Sequence, residues 1–253
     1  ETGRDDVISQ IGKNVDVVFC GSDYKGTNIY ETLYQCDVIY YDRNEYPISS
    51  TDIRENPFKY WGYIPSICKP YYTKKVLLIG GESTGKSIMA ANLALVFNTN
   101  YLGEVGREVC DYAGAEDLMI AEDFHNILLR HKLKEQELLC SSNKILFIDT
   151  DALITKFYAQ FLLINKEEKE KTEALADAIN QINDFDLILF LEPTVAFVQD
   201  GTRNARIEAE REKYSNLIKT IFDKAGLKYH CLYGDYIERF EEAKAIISDT
   251  FKI

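Results

Sequence analysis

From Thr73 onward, short runs of apolar and β-branched residues alternate with longer stretches whose apolar residues recur at helical spacing. Residues 75–80, 100–104, 144–149, 186–192 and 228–233 read as strands. Nearly continuous apolar runs such as "DLILFLE" suit strands covered on both faces. Between them, 116–139 carries Phe124, Ile127, Leu128 and His131 at helical spacing, and 207–224 reads as a charged helix ended by Gly226. The alternation predicts an α/β fold: a three-layer domain over 73–253 with a five-stranded parallel sheet and crossover helices on both faces.

Residues 1–72 have a different pattern. "VDVVFC" and "CDVIYY" are two strands followed by a polar, proline-containing stretch, which is too little for a complete core, and "IPSICKPYYTKK" reads as the connector. "NKEEKEKTE" reads as a solvated loop or helix face. The first residue is Glu1 rather than methionine, as expected of a fragment or a processed chain.

Composition narrows the classes. The chain has 253 residues, 46% hydrophobic, and a net charge of -12, which excludes an extended basic face for nucleic acid or an anionic membrane. No apolar run approaches the roughly 20 residues that span a bilayer, and no secretory signal is visible, so the expectation is a cytoplasmic protein. A homo-oligomer is left open. The six cysteines (Cys20, Cys36, Cys68, Cys110, Cys140 and Cys231) form no C-x-x-C pair, and reduced thiols, mostly in the core, are expected.

The chemistry begins at "GGESTGKS", residues 80–87, which matches G-x-x-x-x-G-K-[ST] between an apolar strand and the helical "IMAANLALVF". Glycines let the backbone wrap a polyphosphate so that loop amides and the helix N-terminus face it. This assigns Gly81, Glu82, Ser83, Thr84, Gly85, Lys86, Ser87 and Ile88 to a nucleoside triphosphate, with Lys86 reaching the β- and γ-phosphates and Ser87 ligating Mg²⁺. "KILFIDTD" ends in Asp149, the expected second Mg²⁺ ligand. Asp151, two residues on, shares its direction if the strand continues, and otherwise caps the next helix. Glu104 and Arg107 in "GEVGRE" lie at the carboxyl edge of the sheet, where ligands of such folds bind. Glu104 and Asp151 are rival general bases for a hydroxyl acceptor. "FVQDGTRNARIEAER" has the character of a lid bearing Arg203, Arg206 and Arg211 for phosphate. His131, on an apolar stripe, reads as a packed residue or a substrate contact. The combination favours phosphoryl transfer to a small hydroxylated acceptor over a GTPase, an ABC-type ATPase or a motor.

"PISSTDIRENPFKYWGYIPSICKPYYTKKVLLIGGESTGKS", residues 47–87, resembles the domain junction of NadR-type bifunctional nicotinamide-nucleotide adenylyltransferase/ribosylnicotinamide kinases. "FNTNYLGEVGREV", "FIDTDALIT" and "DGTR" continue the resemblance along the chain. It implies a partial, Rossmann-like nucleotidyltransferase segment over 1–72 and a complete P-loop kinase domain over 73–253. Ser49, Ser50, Thr51 and Arg54 resemble a C-terminal phosphate-binding motif, but the companion H-x-G-H motif is absent, so adenylyltransferase activity is not expected of this chain. The kinase half implies transfer of phosphate from ATP to the 5′-hydroxyl of nicotinamide riboside or a related nucleoside. Lys86, Ser87, Asp149 and Arg203 fall on matching family positions, Arg211 on a family arginine and His131 on a family histidine. Where relatives carry an aromatic pair this chain has Gly103 and Val105, which assigns ring stacking to Phe197 or Tyr101. A kinase for another nucleoside, or an ATP- or NAD-sensing module without turnover, are the alternatives.

Overall fold

The computed structural model describes residues 2–42, 44–45, 47–115, 118–198 and 209–253. It divides into two compact units, Glu1–Tyr60 and Trp61–Ile253.

In the first unit, helix α1 (Thr2–Ile11) precedes strand β1 (Val17–Gly21), helix α2 (Ile29–Tyr34), strand β2 (Asp37–Tyr41) and helix α3 (Ser50–Glu55). β1 and β2 pair in parallel, with Val17 opposite Asp37 and Gly21 opposite Tyr41. No described residue of this unit is buried. The serine-rich motif is engaged locally: Ser49 Oγ accepts the Asp52 amide at 3.1 Å, while the Asp52 carboxylate accepts the Ser49 amide at 2.9 Å, a reciprocal cap of α3. Arg54 Nη2 donates to Thr51 Oγ1 at 3.3 Å.

The second unit opens with buried Trp61; buried Ile64 and helix α4 (Lys69–Tyr72) follow, within the stretch that reads as a connector. Then follow β3 (Lys74–Gly80), α5 (Lys86–Val96), β4 (Asn100–Leu102), α6 (Val105–Ala113), α7 (Ala121–Leu139), β5 (Ile145–Asp149), α8 (Ala152–Leu162), α9 (Lys166–Ile182), β6 (Leu187–Leu191), α10 (Arg211–Lys224), β7 (His230–Leu232) and α11 (Tyr236–Phe251). The five strands form a parallel sheet in the order β4-β5-β3-β6-β7. Side chains alternate between its two faces, which divides the core. Val76, Leu78, Phe147 and Leu189 pack with α5 and α11. Leu77, Ile79, Ile148 and Phe190 pack with residues of α8 and α10. Helices on both sides confirm the three-layer α/β reading.

Several bounds differ from the sequence pattern. β4 ends at Leu102, and Glu104 stands at the start of α6 rather than on the strand. The helix expected from 116 begins at Ala121, where the Asp123 carboxylate accepts the Ile120 amide at 2.9 Å; residues 116 and 117 lie outside the described set. "NKEEKEKTE" is the first part of α9, capped by Asn165 Oδ1 on the Glu167 amide at 2.8 Å. The cysteines are less buried than expected: Cys110 alone is buried, Cys20, Cys36 and Cys231 are half-buried, and Cys68 and Cys140 are exposed. No described helix is long and apolar enough to cross a membrane.

Candidate active site

β3 delivers the chain to Gly80 at φ +147, where an added Cβ would stand 2.5 Å from the Leu191 carbonyl oxygen, so only glycine fits the approach of β6. The loop then closes on itself: Thr84 Oγ1 and Lys86 Nζ both donate to the Gly81 carbonyl, at 2.9 and 2.8 Å. Gly85, in left-handed conformation at φ +87, is the residue before α5. The free amides of the first turn of α5 therefore face the loop, an arrangement suited to polyphosphate.

The sheet order places β5 against β3, with Asp149 opposite Leu78. Ser87 Oγ donates to Asp149 Oδ2, and Asp149 Oδ1 is buried without a hydrogen-bond partner among the described residues. Burial pushes the Asp149 carboxyl up to about 6, with Glu104 adding to the rise and Lys86, Ser87 and Arg107 opposing it. A buried carboxylate with an unsatisfied oxygen next to a serine hydroxyl fits Mg²⁺. Among the described residues there is no cluster of three His, Cys, Asp or Glu able to hold a metal. Two protein ligands with phosphate oxygens and water completing the shell is the usual way Mg²⁺ is held beside a nucleotide.

A cleft of about 200 Å³ leads from this loop. Glu82, Ser83, Gly85, Lys86, Ser87 and Ile88 line one end, and Glu104 and Arg107 the middle, with Arg107 Nη2 3.7 Å from Glu104 Oε2. The far wall is apolar: Cys110 of α6, Met119, Phe124 and Ile127 of α7, and Ile154, Tyr158 and Leu162 of α8, with Thr150 and Thr155 as polar members. These wall residues were legible only as core. Ile154, Tyr158 and Leu162 recur at four-residue spacing along α8, the signal of a helix stripe, and nothing in the spacing separates a stripe facing a cavity from one facing a neighbour.

Asp151 and His131 are not brought to this cleft. Thr150 takes a left-handed conformation at φ +67, the strand direction ends there, and Asp151 turns back to cap α8, its Oδ1 accepting the Ile154 amide at 3.1 Å. Asp151 is buried, and burial pushes its carboxyl up to about 7. Together with His131, Lys132, Glu135 and Asn183 it lines a small cavity behind the cleft. Burial lowers the His131 pKa against a hydrogen bond to the main chain of Asp149. Lys132 Nζ bridges Glu135 Oε1 at 3.0 Å and Asn183 Oδ1 at 2.8 Å.

Phe197 lies under the guanidinium of Arg211, 5.3 Å from its ring centroid, and neither is among the described residues of the cleft. Arg211 instead donates to the carbonyls of Val195, at 2.7 Å, and Ser83, at 3.3 Å, bracing the P-loop from outside. Tyr101 is exposed next to Gly103 and is not among the residues that line the cleft. Arg203 and Arg206 lie outside the described residues.

A strand, phosphate loop and helix at the centre of a parallel sheet, with a buried acid against the loop serine, define a P-loop nucleotide-binding domain. A family model described as an AAA domain (AAA_28) matches residues 75–239, and the chain belongs to that family. Its homologues are NadR proteins, as the resemblance over 47–87 implies. The trifunctional NAD biosynthesis/regulator protein NadR of Salmonella typhimurium (strain LT2) is 32% identical over 205 residues, 80% of this chain and 48% of the relative. Its counterpart in Escherichia coli (strain K12) is 33% identical over 196 residues, 76% of this chain and 46% of the relative. The chain thus spans about half the length of the curated relatives it matches. The crystal structure of a NadR protein in complex with NR superposes at a TM-score of 0.81 with 23% identity, covering 100% of this chain and 74% of that one. Deoxyadenosine kinase from M. mycoides with bound dATP reaches 0.51 at 12% identity, over 69% of this chain and 99% of that one. At these identities the two structures show a shared fold.

Proposed function

We propose that the chain transfers the γ-phosphoryl group of ATP to the 5′-hydroxyl of nicotinamide riboside, giving nicotinamide mononucleotide and ADP. The observation that carries this reading is the continuity of one cleft from Lys86 and Ser87, whose hydroxyl donates to the buried Asp149, past Glu104, to an apolar pocket bearing Phe124 and Tyr158. A triphosphate on the loop would point its terminal phosphate at Glu104, and a ribose there would put its base against the apolar wall. NadR homology and the NR-bound NadR structure of the same fold support the choice of base.

In this reading Lys86 neutralises charge on the β- and γ-phosphates, and the α5 amides hold their oxygens. Ser87 and Asp149 would hold Mg²⁺, which when bound offsets phosphate charge. Glu104, rather than Asp151, accepts the proton of the 5′-hydroxyl, since only Glu104 lines the cleft. The ribose oxygen then bonds to the γ-phosphorus, the bond to the β–γ bridging oxygen breaks, and ADP leaves with that electron pair. Arg107, partnering Glu104, orients it. The cleft wall of Tyr158 and Phe124 takes the stacking role that the sequence assigned to Phe197 or Tyr101.

Incubation of the purified chain with ATP, Mg²⁺ and nicotinamide riboside should yield the mononucleotide by mass spectrometry, and Lys86→Ala should abolish it. No product from the parent chain overturns the reading. Turnover of a different nucleoside in a competition panel would keep the kinase and replace the acceptor, and tight binding of ATP or NAD without turnover would favour a sensing module.

A further inference from the structure

We propose that Arg239 is a positioning residue of the nucleotide site: a buried positive charge that α11 holds behind the P-loop, to be balanced by the triphosphate on the loop's other side. Arg239 is 0% exposed, the largest fully buried side chain of the described residues. Its Nη1 donates to the Glu192 carbonyl at 3.2 Å and its Nε to the Asp235 carbonyl at 3.3 Å. Nη2 is buried with no hydrogen-bond partner among the described residues.

Among the described residues no carboxylate forms an ion pair with it. Glu192 accepts from Lys219 with its side chain, and Asp235 Oδ1 is occupied by the amides of Ile237 and Glu238 at the start of α11. Arg211 adds charge of the same sign, and Tyr236 and the Asp235 carboxylate offset it only in part: burial still pushes the Arg239 pKa down.

What Nη2 faces is the phosphate loop. An added Cβ on Gly85 would lie 3.8 Å from Nη2 and 3.0 Å from the Tyr236 ring, and that ring's centroid is itself 5.3 Å from Arg239 Cζ. Tyr236 and Arg239 are thus pressed against the residue from which α5 starts, the helix whose first amides face the anion.

A buried guanidinium bonded only to carbonyls costs the folded state, and an apolar residue of similar volume often serves stability as well or better. The expense is offset where an anion shares its low-dielectric surroundings, because charge interactions there are stronger than in water. The chain carries a net charge of -12, and Glu82 and Glu104 line the same cleft, so a fixed positive charge behind the loop opposes their repulsion of a polyphosphate. This inference rests on the P-loop as a triphosphate site, the donor half of the proposed function, and is independent of the acceptor.

The test is thermal unfolding and ATP binding of the full chain, with and without Mg·ATP or AMP, for wild type, Arg239→Lys and Arg239→Met. Arg239→Met should unfold at or above the wild-type temperature without nucleotide, yet bind ATP about tenfold more weakly, with a smaller loss for AMP. Arg239→Lys, which keeps the charge, should bind ATP within about threefold of wild type. An Arg239→Met chain that fails to fold, or that melts several degrees lower with an unchanged ATP response, overturns the proposal and makes Arg239 a structural strut. A wild type that does not respond to ATP overturns both this inference and the P-loop reading. A wild type that responds to ATP but forms no mononucleotide overturns the acceptor assignment alone.

Discussion

Asp149 and Asp151 stand two residues apart in the same short segment, and they face different worlds. Asp149, the last residue of β5, meets Ser87, which lines the cleft; Asp151, past the left-handed Thr150, turns away to cap α8 and lines a small cavity with His131. Both are buried and both carboxyls are pushed up, to about 6 and about 7. Burial and a raised pKa therefore do not distinguish a carboxylate held against the phosphate loop from one that caps a helix. The side of the strand end on which it lies does, because only the front has room for ligand.

This contrast is open to direct attack. The largest effect belongs at the front: Asp149→Ala and Lys86→Ala should each lower kcat/KM for phosphorylation by about 10³, in line with removing a charge-stabilising group from a phosphoryl-transfer site. Initial rates over an ATP series would read it. Glu104→Gln should lower kcat by about 10² while leaving the ATP KM near wild type, as fits loss of a proton acceptor. Should Asp151→Asn show that loss and Glu104→Gln not, front and back would have to be exchanged.

A smaller change is expected at the far wall. Tyr158→Ala should raise the riboside KM about tenfold, since a stacked ring contributes on the order of 1 kcal/mol beyond its burial. The ATP KM should stay the same, and steady-state kinetics with either substrate varied separate the two.

The smallest effect on activity sharpens the comparison from behind. Asp151→Asn should keep the rate within about threefold, because asparagine also caps a helix and the site does not face substrate. Its signature is in stability. A carboxyl whose pKa rises on folding binds its proton more tightly in the folded state, so its contribution is fully present below the unfolded value near 4 and is lost as pH rises through about 7. Melting temperature should fall across that window in the parent chain and fall less in Asp151→Asn. Identical pH profiles would show that Asp151 is not the group responsible.

Much of the front was legible along the chain. The glycine-rich loop has a fixed spacing, and its place between an apolar strand and a helix is itself sequence information. Asp149 followed from an apolar run that ends in acid. The direction of Asp151 was not legible, because it depends on one residue, Thr150, taking a left-handed conformation that its side chain does not announce. Phe197 was plausible as a stacking ring until its position under Arg211 was seen, while Phe124 and Tyr158 were hidden among core-like stripes. Arg239 gave no signal in a charged helical pattern, since burial of a lone arginine depends on what neighbours bring to it.

What the sequence by itself determined is the set of local structures: the strands, the loop that must be glycine-rich, and the helix that starts at Lys86, because these rest on spacing and backbone freedom within a few residues. Only the tertiary structure decided which of those pieces meet. The order β4-β5-β3-β6-β7 brings Asp149 to Ser87 across 62 residues of chain, sets Glu104 opposite an apolar wall built from three helices, and buries Arg239 behind Gly85. Those encounters are long-range contacts, selected by the packing of two apolar sheet faces, and no local pattern encodes which face a side chain finally meets.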